Sequence, residues 1–124
     1  MSPSPEAIRT TVESYIKFVG SGTVDEILSL FAEGATVEDP VGTDVRSTEA
    51  ALREFYGIIE PLKQETELLT LRIAGDTAAF HFRVLTDFGD NQFELSPIDV
   101  MTFDEDAKIT SMRAVWSGED MTTL

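Results

Sequence analysis

The spacing of apolar residues changes once along the chain, and this change limits the possible folds more than any other feature of the sequence. Up to Ile59, apolar residues recur every three or four positions, which is typical of one face of an α-helix. From Thr66 onward they recur at every second position, which is typical of one face of a β-strand. Short turns separate the later segments, and such turns join strands into antiparallel pairs. The sequence therefore predicts an α+β fold, in which three N-terminal helices pack on one face of a curved antiparallel sheet.

Polar caps and glycines mark the limits of the three predicted helices. A serine or threonine at the cap can accept a hydrogen bond from a free backbone N–H of the first turn. The predicted caps are Ser4, which Pro5 follows, Thr23, whose capping box includes Glu26, and Ser47 or Thr48. The predicted ends are Gly20 to Gly22 for the first helix, Gly34 for the second, which would include Phe31, and Pro61 for the third.

Four strands are predicted after the third helix. They cover residues 66–73, 77–87, 92–103 and 108–117, and residues 35–40 add a brief extended segment that ends at a proline. The predicted turns are Gly75-Asp76, Gly89-Asp90 and Asp104-Glu105-Asp106. No repeat or linker divides the sequence, so residues 1–124 are predicted to form a single domain.

Charge and composition exclude several classes of function. Nine basic residues against 23 acidic ones give a net charge of −14, so the surface repels phosphate backbones and anionic membranes. We therefore expect neither nucleic acid nor a membrane as a partner. No apolar run approaches the ~20 residues of a membrane-spanning helix, and the polar start is unlike a signal peptide, which predicts a cytoplasmic protein. The absence of cysteine excludes disulfides, zinc–thiolate sites and thiol nucleophiles.

Asp99 is the one acid in an otherwise apolar row on a predicted strand. Alternation places this row on one face, and its members are Phe93, Leu95, Pro97, Asp99, Met101 and Phe103. An unpaired buried charge is costly, so a carboxyl group at this position either finds strong donors or keeps its proton. The plain alternative is a solvated position on a poorly aligned strand, which the apolar flanks disfavour. Asp99 is therefore predicted to be buried and catalytic.

Tyr15 and Asp39 are two further polar groups at positions where the pattern favours apolar ones. Tyr15 lies on the apolar stripe of the first helix, and Asp39 follows Val37 on the same side of its strand, just before Pro40. Taken alone, Tyr15 would be a core tyrosine and Asp39 a turn residue that bonds its own backbone. Together with Asp99 they offer groups of different proton affinity, which is how one pocket obtains both a donor and a base.

The inner face of the sheet is predicted to form a large apolar pocket. Besides the row that contains Asp99, this face includes Ala78, Phe80, Phe82, Val84, Met112, Ala114 and Trp116. Such a pocket suits a flat hydrophobic ligand better than a sugar or a nucleotide. His81 is predicted to lie on the opposite face, and the acidic residues lack the partners and spacing of metal ligands. We therefore expect no metal site.

Five short segments occur in order along nearly the full length of the chain. They are Tyr15-Ile16, Ala35-Thr36-Val37-Glu38-Asp39-Pro40, Phe55-Tyr56, Ile98-Asp99-Val100-Met101 and Val115-Trp116-Ser117. Together they resemble the bacterial ketosteroid isomerases (steroid Δ5-3-ketosteroid isomerases). The resemblance implies the NTF2-like (SnoaL-like) cone, which is shared with nuclear transport factor 2 and the polyketide cyclases. It also implies a homodimer formed through the outer faces of the sheets.

The resemblance assigns roles to individual residues. Tyr15 takes the position of the family's oxyanion tyrosine, Asp39 that of its general base and Asp99 that of its protonated oxyanion acid. Tyr56 matches a tyrosine that hydrogen-bonds to the catalytic one. The residues that match the wall of the steroid pocket are Phe82, Val84, Met101, Met112 and Trp116.

The implied reaction converts a Δ5-3-ketosteroid into a Δ4-3-ketosteroid by intramolecular proton transfer through a dienolate, without a cofactor. The chain departs from the family at Phe31, where some members carry a further tyrosine in the hydroxyl chain, and at residues 86–93 near the expected pocket rim. Two alternatives stay open. One is a polyketide cyclase or dehydratase on the same cone, although these usually place a histidine or an Asp-Arg-Asp set in the cavity. The other is a non-catalytic module that binds a steroid or another hydrophobic ligand.

Overall fold

The computed structural model describes residues 2–124, and its helices and strands confirm the predicted α+β class. The helices are α1 (Pro5–Ser21), α2 (Val24–Leu28) and α3 (Glu49–Ile59), and a 3-10 turn covers Gly118–Asp120. The strands are β1 (Phe31–Glu38), β2 (Lys63–Ala74), β3 (Thr77–Asp87), β4 (Gln92–Leu95), β5 (Ile98–Phe103), β6 (Ile109–Val115) and β7 (Thr122–Thr123). Within residues 2–124, every helix is too short or too polar to span a lipid bilayer.

All three helices begin at a side-chain cap, as the sequence predicts. The hydroxyls of Ser4 and Thr48 each accept a hydrogen bond of 3.1 Å from the backbone N–H three residues further along. At α2 the capping box is complete, because Thr23 and Glu26 each accept a hydrogen bond from the other's backbone N–H. A cap of this kind is worth about 1 kcal/mol. It matters most for α2, which is only five residues long.

The second helix ends earlier than predicted. It stops at Leu28, and Phe31 is already the first residue of β1, where it pairs with Ile109 of β6. Gly34 does not end the helix, so that prediction is wrong. It lies within β1 at φ = 75°, in the stretch where the β1–β6 register shifts. Pairing with β6 therefore overrides the helical spacing of the apolar side chains, and the glycine accommodates the bulge.

The strands form one curved, open sheet in the order β1-β6-β5-β3-β4-β7, and β2 pairs with β3 off this path. Among the described residues, β1 and β6 pair in parallel and the other strand pairs are antiparallel. The predicted third strand is divided at Ser96 and Pro97, since proline has no N–H for the ladder. As a result, β4 pairs with the C-terminal half of β3 and β5 with its N-terminal half. The short β7 was not predicted.

The inner face of the sheet is the one that the alternation predicts. In β3 the buried residues are Ala78, Phe80, Phe82 and Val84, and in β5 they are Asp99, Met101 and Phe103. His81 lies on the opposite face of β3. Helix α1 packs against β2, where the hydroxyl of Thr66 donates a hydrogen bond of 2.9 Å to the backbone carbonyl of Ile16. The helices therefore cover the inner face, and the cavity described next lies between the two layers.

Candidate active site

Asp99 lies at the centre of the sheet, in β5 between β3 and β6. Its register partners are Phe80 and Ala114, and only 2% of its surface is exposed. Its Oδ1 atom is shielded from water and has no hydrogen-bond partner. Burial, together with the nearby charge of Asp39, raises the pKa of Asp99 well above its ordinary value of 3.8. The carboxyl group therefore keeps its proton where an exposed aspartate has lost it, and it can donate a hydrogen bond.

Two tyrosine hydroxyls form a hydrogen-bonded pair inside the protein. Helix α1 presents Tyr15, α3 presents Tyr56, and their hydroxyl oxygens are 2.9 Å apart. Both side chains are buried, and burial raises the pKa of each phenol above its ordinary value of 10.0. Both phenols therefore stay protonated near neutral pH. When Tyr56 donates to Tyr15, the proton of Tyr15 is free to point towards a ligand oxygen.

Asp39 directly follows β1 and is held by Trp116, which follows β6. The parallel pairing of β1 and β6 brings the C-terminal ends of both strands to the same edge of the sheet. The indole N–H of Trp116 donates a hydrogen bond of 2.8 Å to Oδ1 of Asp39. Burial raises the pKa of Asp39, whereas this hydrogen bond and the charge of Arg46 lower it. Because its carboxylate has this support, Asp39 ionises at a lower pH than Asp99.

These four side chains line one cavity of about 230 Å³ between the helices and the sheet. Most of the remaining lining is apolar, and its aromatic members are Phe55, Phe82, Phe88, Phe93 and Trp116. The structure thus brings Tyr15, Tyr56, Asp39 and Asp99 together in an apolar, aromatic enclosure. Such an enclosure suits a flat hydrophobic ligand with a few polar groups to orient it.

The predicted pocket wall is found only in part. Phe82, Val84 and Trp116 line the cavity, but Met101 and Met112 do not. The two methionines face each other across β5 and β6 and are 0% and 1% exposed, so they belong to the packed core. Alternation along a strand predicts the face on which a side chain lies, but not whether the cavity reaches that level of the strand.

Arg46 is a functional candidate that the sequence reasoning missed. It exchanges backbone hydrogen bonds of 2.9 Å with Val37, two residues before Asp39, and its guanidinium lies over the ring of Phe55 at 4.4 Å. Its Nη1 atom is buried and has no hydrogen-bond partner. In a chain of net charge −14, this cation lies beside the site and lowers the pKa of Asp39. No spacing signal marks it, because the segment before α3 has no regular period.

Phe31 packs against both tyrosines and adds no hydroxyl to their pair. Its ring centroid is 6.3 Å from that of Tyr15 and 5.9 Å from that of Tyr56.

Within residues 2–124, no group of three or more histidine, aspartate or glutamate side chains is arranged to hold a metal ion. That the site works without a cofactor stays a prediction.

Comparisons with known proteins agree with this architecture. The pattern that defines the SnoaL-like domain family matches residues 12–112. A curated relative, the Steroid Delta-isomerase of Nocardioides simplex, is 49% identical over 114 residues, which is 92% of this chain and 93% of the relative. The solved structure of SalBIII, an epoxide hydrolase/cyclase-like enzyme described in pyran ring formation in the polyether salinomycin, is 30% identical. It superposes with a TM-score of 0.89 over 96% of this chain and 97% of SalBIII.

A second solved structure, the Delta 5-3-ketosteroid isomerase from Mycobacterium sp., has a TM-score of 0.86 over 95% of this chain and 98% of its own. It is 22% identical to this chain, so this likeness supports the fold alone. The predicted cone is confirmed by these structures, and the predicted family by the domain match and the 49% identity. The chain therefore belongs to the SnoaL-like family and, within it, to the steroid Delta-isomerases.

Proposed function

We propose that this chain converts Δ5-3-ketosteroids into Δ4-3-ketosteroids by intramolecular proton transfer through a dienolate. The 49% identity to a steroid Delta-isomerase confirms the predicted enzyme class. The proposed mechanism rests on one observation. Two carboxyl groups line the same apolar cavity but differ in their hydrogen-bond partners. Oδ1 of Asp99 is shielded and has no partner, whereas Oδ1 of Asp39 accepts the indole N–H of Trp116. The first group is suited to donate a hydrogen bond and the second to accept a proton.

Asp39 is the proposed general base. It takes a proton from C4, between the ketone and the double bond, and returns that proton to C6. The C4–H bond breaks, a C6–H bond forms, and the double bond moves from C5–C6 to C4–C5. Since one group takes and returns the same proton, the reaction needs no oxidant or reductant. A carboxylate whose pKa is raised by burial is strong enough to remove this proton and weak enough to release it.

Tyr15 and Asp99 are the proposed donors to the ketone oxygen. Negative charge moves onto this oxygen as the dienolate forms, so donors already in place bind the transition state more strongly than the ketone. Both groups keep their protons because burial raises the pKa of each. Tyr56 orients the Tyr15 hydroxyl through their hydrogen bond of 2.9 Å.

The two alternative functions have less support. SalBIII, the cyclase-like relative, is 30% identical to this chain, compared with 49% for the steroid Delta-isomerase. In addition, the single histidine of the chain, His81, lies on the face of β3 opposite the buried row. A non-catalytic binding module would leave Asp39 and Asp99 in an apolar cavity without a role, where burying them costs free energy.

One spectrophotometric assay tests the proposed reaction. The purified protein is mixed with 5-androstene-3,17-dione, and the ultraviolet absorption band of the conjugated enone is followed over time. We expect this band to grow without any added metal or cofactor. Growth no faster than in buffer alone would contradict the proposed function.

Replacing Asp99 by leucine is expected to slow turnover about 10²- to 10³-fold, while the fold is kept or even stabilised. The folded protein holds the Asp99 proton more tightly than the unfolded chain does. The free energy of unfolding of the wild type therefore falls as the pH rises from 3.8 towards the raised folded-state pKa, and the leucine variant should lack the part of this fall that Asp99 contributes. Denaturant unfolding at acidic and neutral pH measures the difference.

Asparagine is the matched control at this position, because it has the shape of aspartate and keeps an N–H donor. We expect Asp99→Asn to retain more activity than Asp99→Leu. Full activity in the leucine variant would rule out the oxyanion role of Asp99.

Removing the charge of Arg46 is expected to move the acid limb of the kcat/KM profile to higher pH. This limb reports the ionisation of Asp39, whose carboxylate is favoured by the nearby guanidinium. Arg46→Met removes the charge, so the pKa of Asp39 should rise further and activity should begin at a higher pH. Arg46→Lys keeps the charge but loses the planar stack on Phe55. Its acid limb should therefore lie at nearly the same pH as that of the wild type. An identical limb in wild type and Arg46→Met would contradict the electrostatic role.

We also propose that the partners are a small hydrophobic 3-ketosteroid and a second copy of the chain. Ile98 and Val115 are direct neighbours on β5 and β6, and they are 47% and 51% exposed. They lie on the outer face of the sheet, opposite Asp99 and Ala114, and an exposed apolar patch of this kind supports an interface there.

Three further points stay predictions. They are the cytoplasmic location, the single domain over residues 1–124 and the exclusion of nucleic acid and membranes as partners.

A further inference from the structure

We propose that Gln64 and Thr86 form a second polar subsite at the far end of the cavity, which binds a hydroxyl group on ring D of a 3-ketosteroid. This inference rests on the proposed function, because it requires the ketone of ring A to lie at Tyr15 and Asp99. It goes further than that function in stating which substrates the cavity prefers.

The pair is a polar feature in an otherwise apolar lining. Apart from Trp116 and the four groups already described, Gln64 and Thr86 are the polar side chains that line the cavity. Nε2 of Gln64 donates a hydrogen bond of 2.9 Å to Oγ1 of Thr86. Oε1 of Gln64 is shielded from water and has no hydrogen-bond partner. An acceptor left in this state is costly, and a ligand that donates to it would remove that cost.

The strands place the pair away from the catalytic groups. On β3, Phe80 is the register partner of Asp99, and Thr86 is six residues further along on the same alternation. The backbone carbonyl of Gln64 lies beside Gly20 of α1, which is five residues, or ~7.5 Å along the helix axis, beyond Tyr15. Gln64 is the direct register partner of Thr86 on β2. The two side chains therefore meet at the C-terminal end of β3, whereas Asp99 pairs with its N-terminal half.

Both helices also contribute residues that line the cavity beyond the hydroxyl pair. On α1, Val19 lies about one turn after Tyr15, and on α3, Ile59 lies about one turn after Tyr56. All four side chains line the cavity, so it extends from the hydroxyl pair towards the C-terminal ends of both helices. The chain enters β2 just after α3, which brings Gln64 to this end. A long, flat ligand with its ketone at Tyr15 would direct its other end there.

The chemistry of the pair matches a hydroxyl better than a ketone. A hydroxyl can donate to Oε1 of Gln64 and accept from the hydroxyl of Thr86, which keeps its own proton while it accepts from Gln64. A ketone can only accept, so it leaves Oε1 of Gln64 without a donor. The terminal torsion of a glutamine is broad, which allows the amide to turn towards the ligand. One neutral hydrogen bond corresponds to roughly a three- to tenfold preference.

The test compares three substrates that differ only at C17. They are 17β-hydroxy-5-androsten-3-one, 5-androstene-3,17-dione and 5-androsten-3-one, which carry a hydroxyl, a ketone and hydrogen. For the wild type we expect the highest kcat/KM with the hydroxyl substrate, by roughly three- to tenfold. Gln64→Leu should remove this preference, so that its kcat/KM values for the hydroxyl and ketone substrates become nearly equal. Gln92→Leu, at an exposed glutamine of β4 outside the cavity lining, is the control and should keep the preference.

Thr86→Val provides a second variant of the same shape as threonine, and it should also weaken the preference. If circular dichroism shows that Gln64→Leu does not fold, Thr86→Val alone tests whether this subsite binds the hydroxyl group. Equal kcat/KM values for the three substrates in the wild type overturn the inference and leave the proposed function intact. The same holds if the preference persists in the folded variants. If the wild type forms no enone from any of the three substrates, the proposed function fails and this inference fails with it.

Discussion

Replacing Asp39 by asparagine is expected to lower kcat by about 10²- to 10⁴-fold, while the affinity for an unreactive steroid stays close to that of the wild type. Asparagine has the shape of aspartate, and its amide oxygen can still accept the indole N–H of Trp116. It cannot take up a proton at neutral pH, so the transfer from C4 to C6 loses its carrier. The measurement is kcat with 5-androstene-3,17-dione, beside the Kd of the Δ4-3-ketosteroid product.

Glu38 provides the matched control for this substitution. It directly precedes Asp39 but points the other way, where its Oε1 accepts a hydrogen bond of 2.8 Å from Nε of Arg113. Glu38→Gln also removes one negative charge from this strand end, and we expect its kcat to stay near the wild-type value. An unchanged kcat in Asp39→Asn would remove Asp39 as the base. Equal losses in both variants would point to the general charge of this region instead.

Replacing Tyr15 by phenylalanine is expected to lower kcat about 10²- to 10³-fold, because one donor to the ketone oxygen is lost. The ring itself should stay in place, since it packs edge-on against Phe31 and Tyr56. Binding of the Δ4-3-ketosteroid product should therefore weaken much less than kcat falls. Steady-state kinetics and equilibrium binding on the same preparations measure the two effects.

Tyr56→Phe is the companion variant, since it removes the hydroxyl that contacts Tyr15 but leaves the donor itself. We expect a smaller loss of kcat than in Tyr15→Phe, because Tyr56 acts only by orienting the Tyr15 hydroxyl. If Tyr15→Phe weakens product binding as much as it lowers kcat, then Tyr15 contributes packing and not transition-state stabilisation.

Much of the fold and the centre of the site could be predicted because local rules and tertiary structure agree there. Alternation along β5 is enough to place Asp99 on the buried face, and the cap at Thr23 is enough to start α2. The agreement ends at Phe31 and Gly34, where pairing with β6 changes a helical pattern into a bulged strand. A single sequence contains no signal for that competition, because the partner strand lies far along the chain.

The depth of the cavity and the groups in loops could not be predicted in the same way. Met101 and Met112 share the face of Asp99, but the cavity does not reach them. Arg46 approaches the base from a segment without a period, and the contact between Gln64 and Thr86 depends on the register of two strands. Thr86 continues the row of inward-facing residues on β3. A polar residue in that row is the one sequence signal for the contact between Gln64 and Thr86.

The hydrogen bond between Trp116 and Asp39 gives the protein an intrinsic optical reporter. Trp116 is the sole tryptophan of the chain, and its indole N–H contacts the carboxylate while its ring lines the cavity. Its emission should therefore respond to protonation of the neighbouring acid and to entry of a steroid, without an attached dye. A fluorescence titration of the resting protein can thus follow the charge on the base directly, before any turnover takes place.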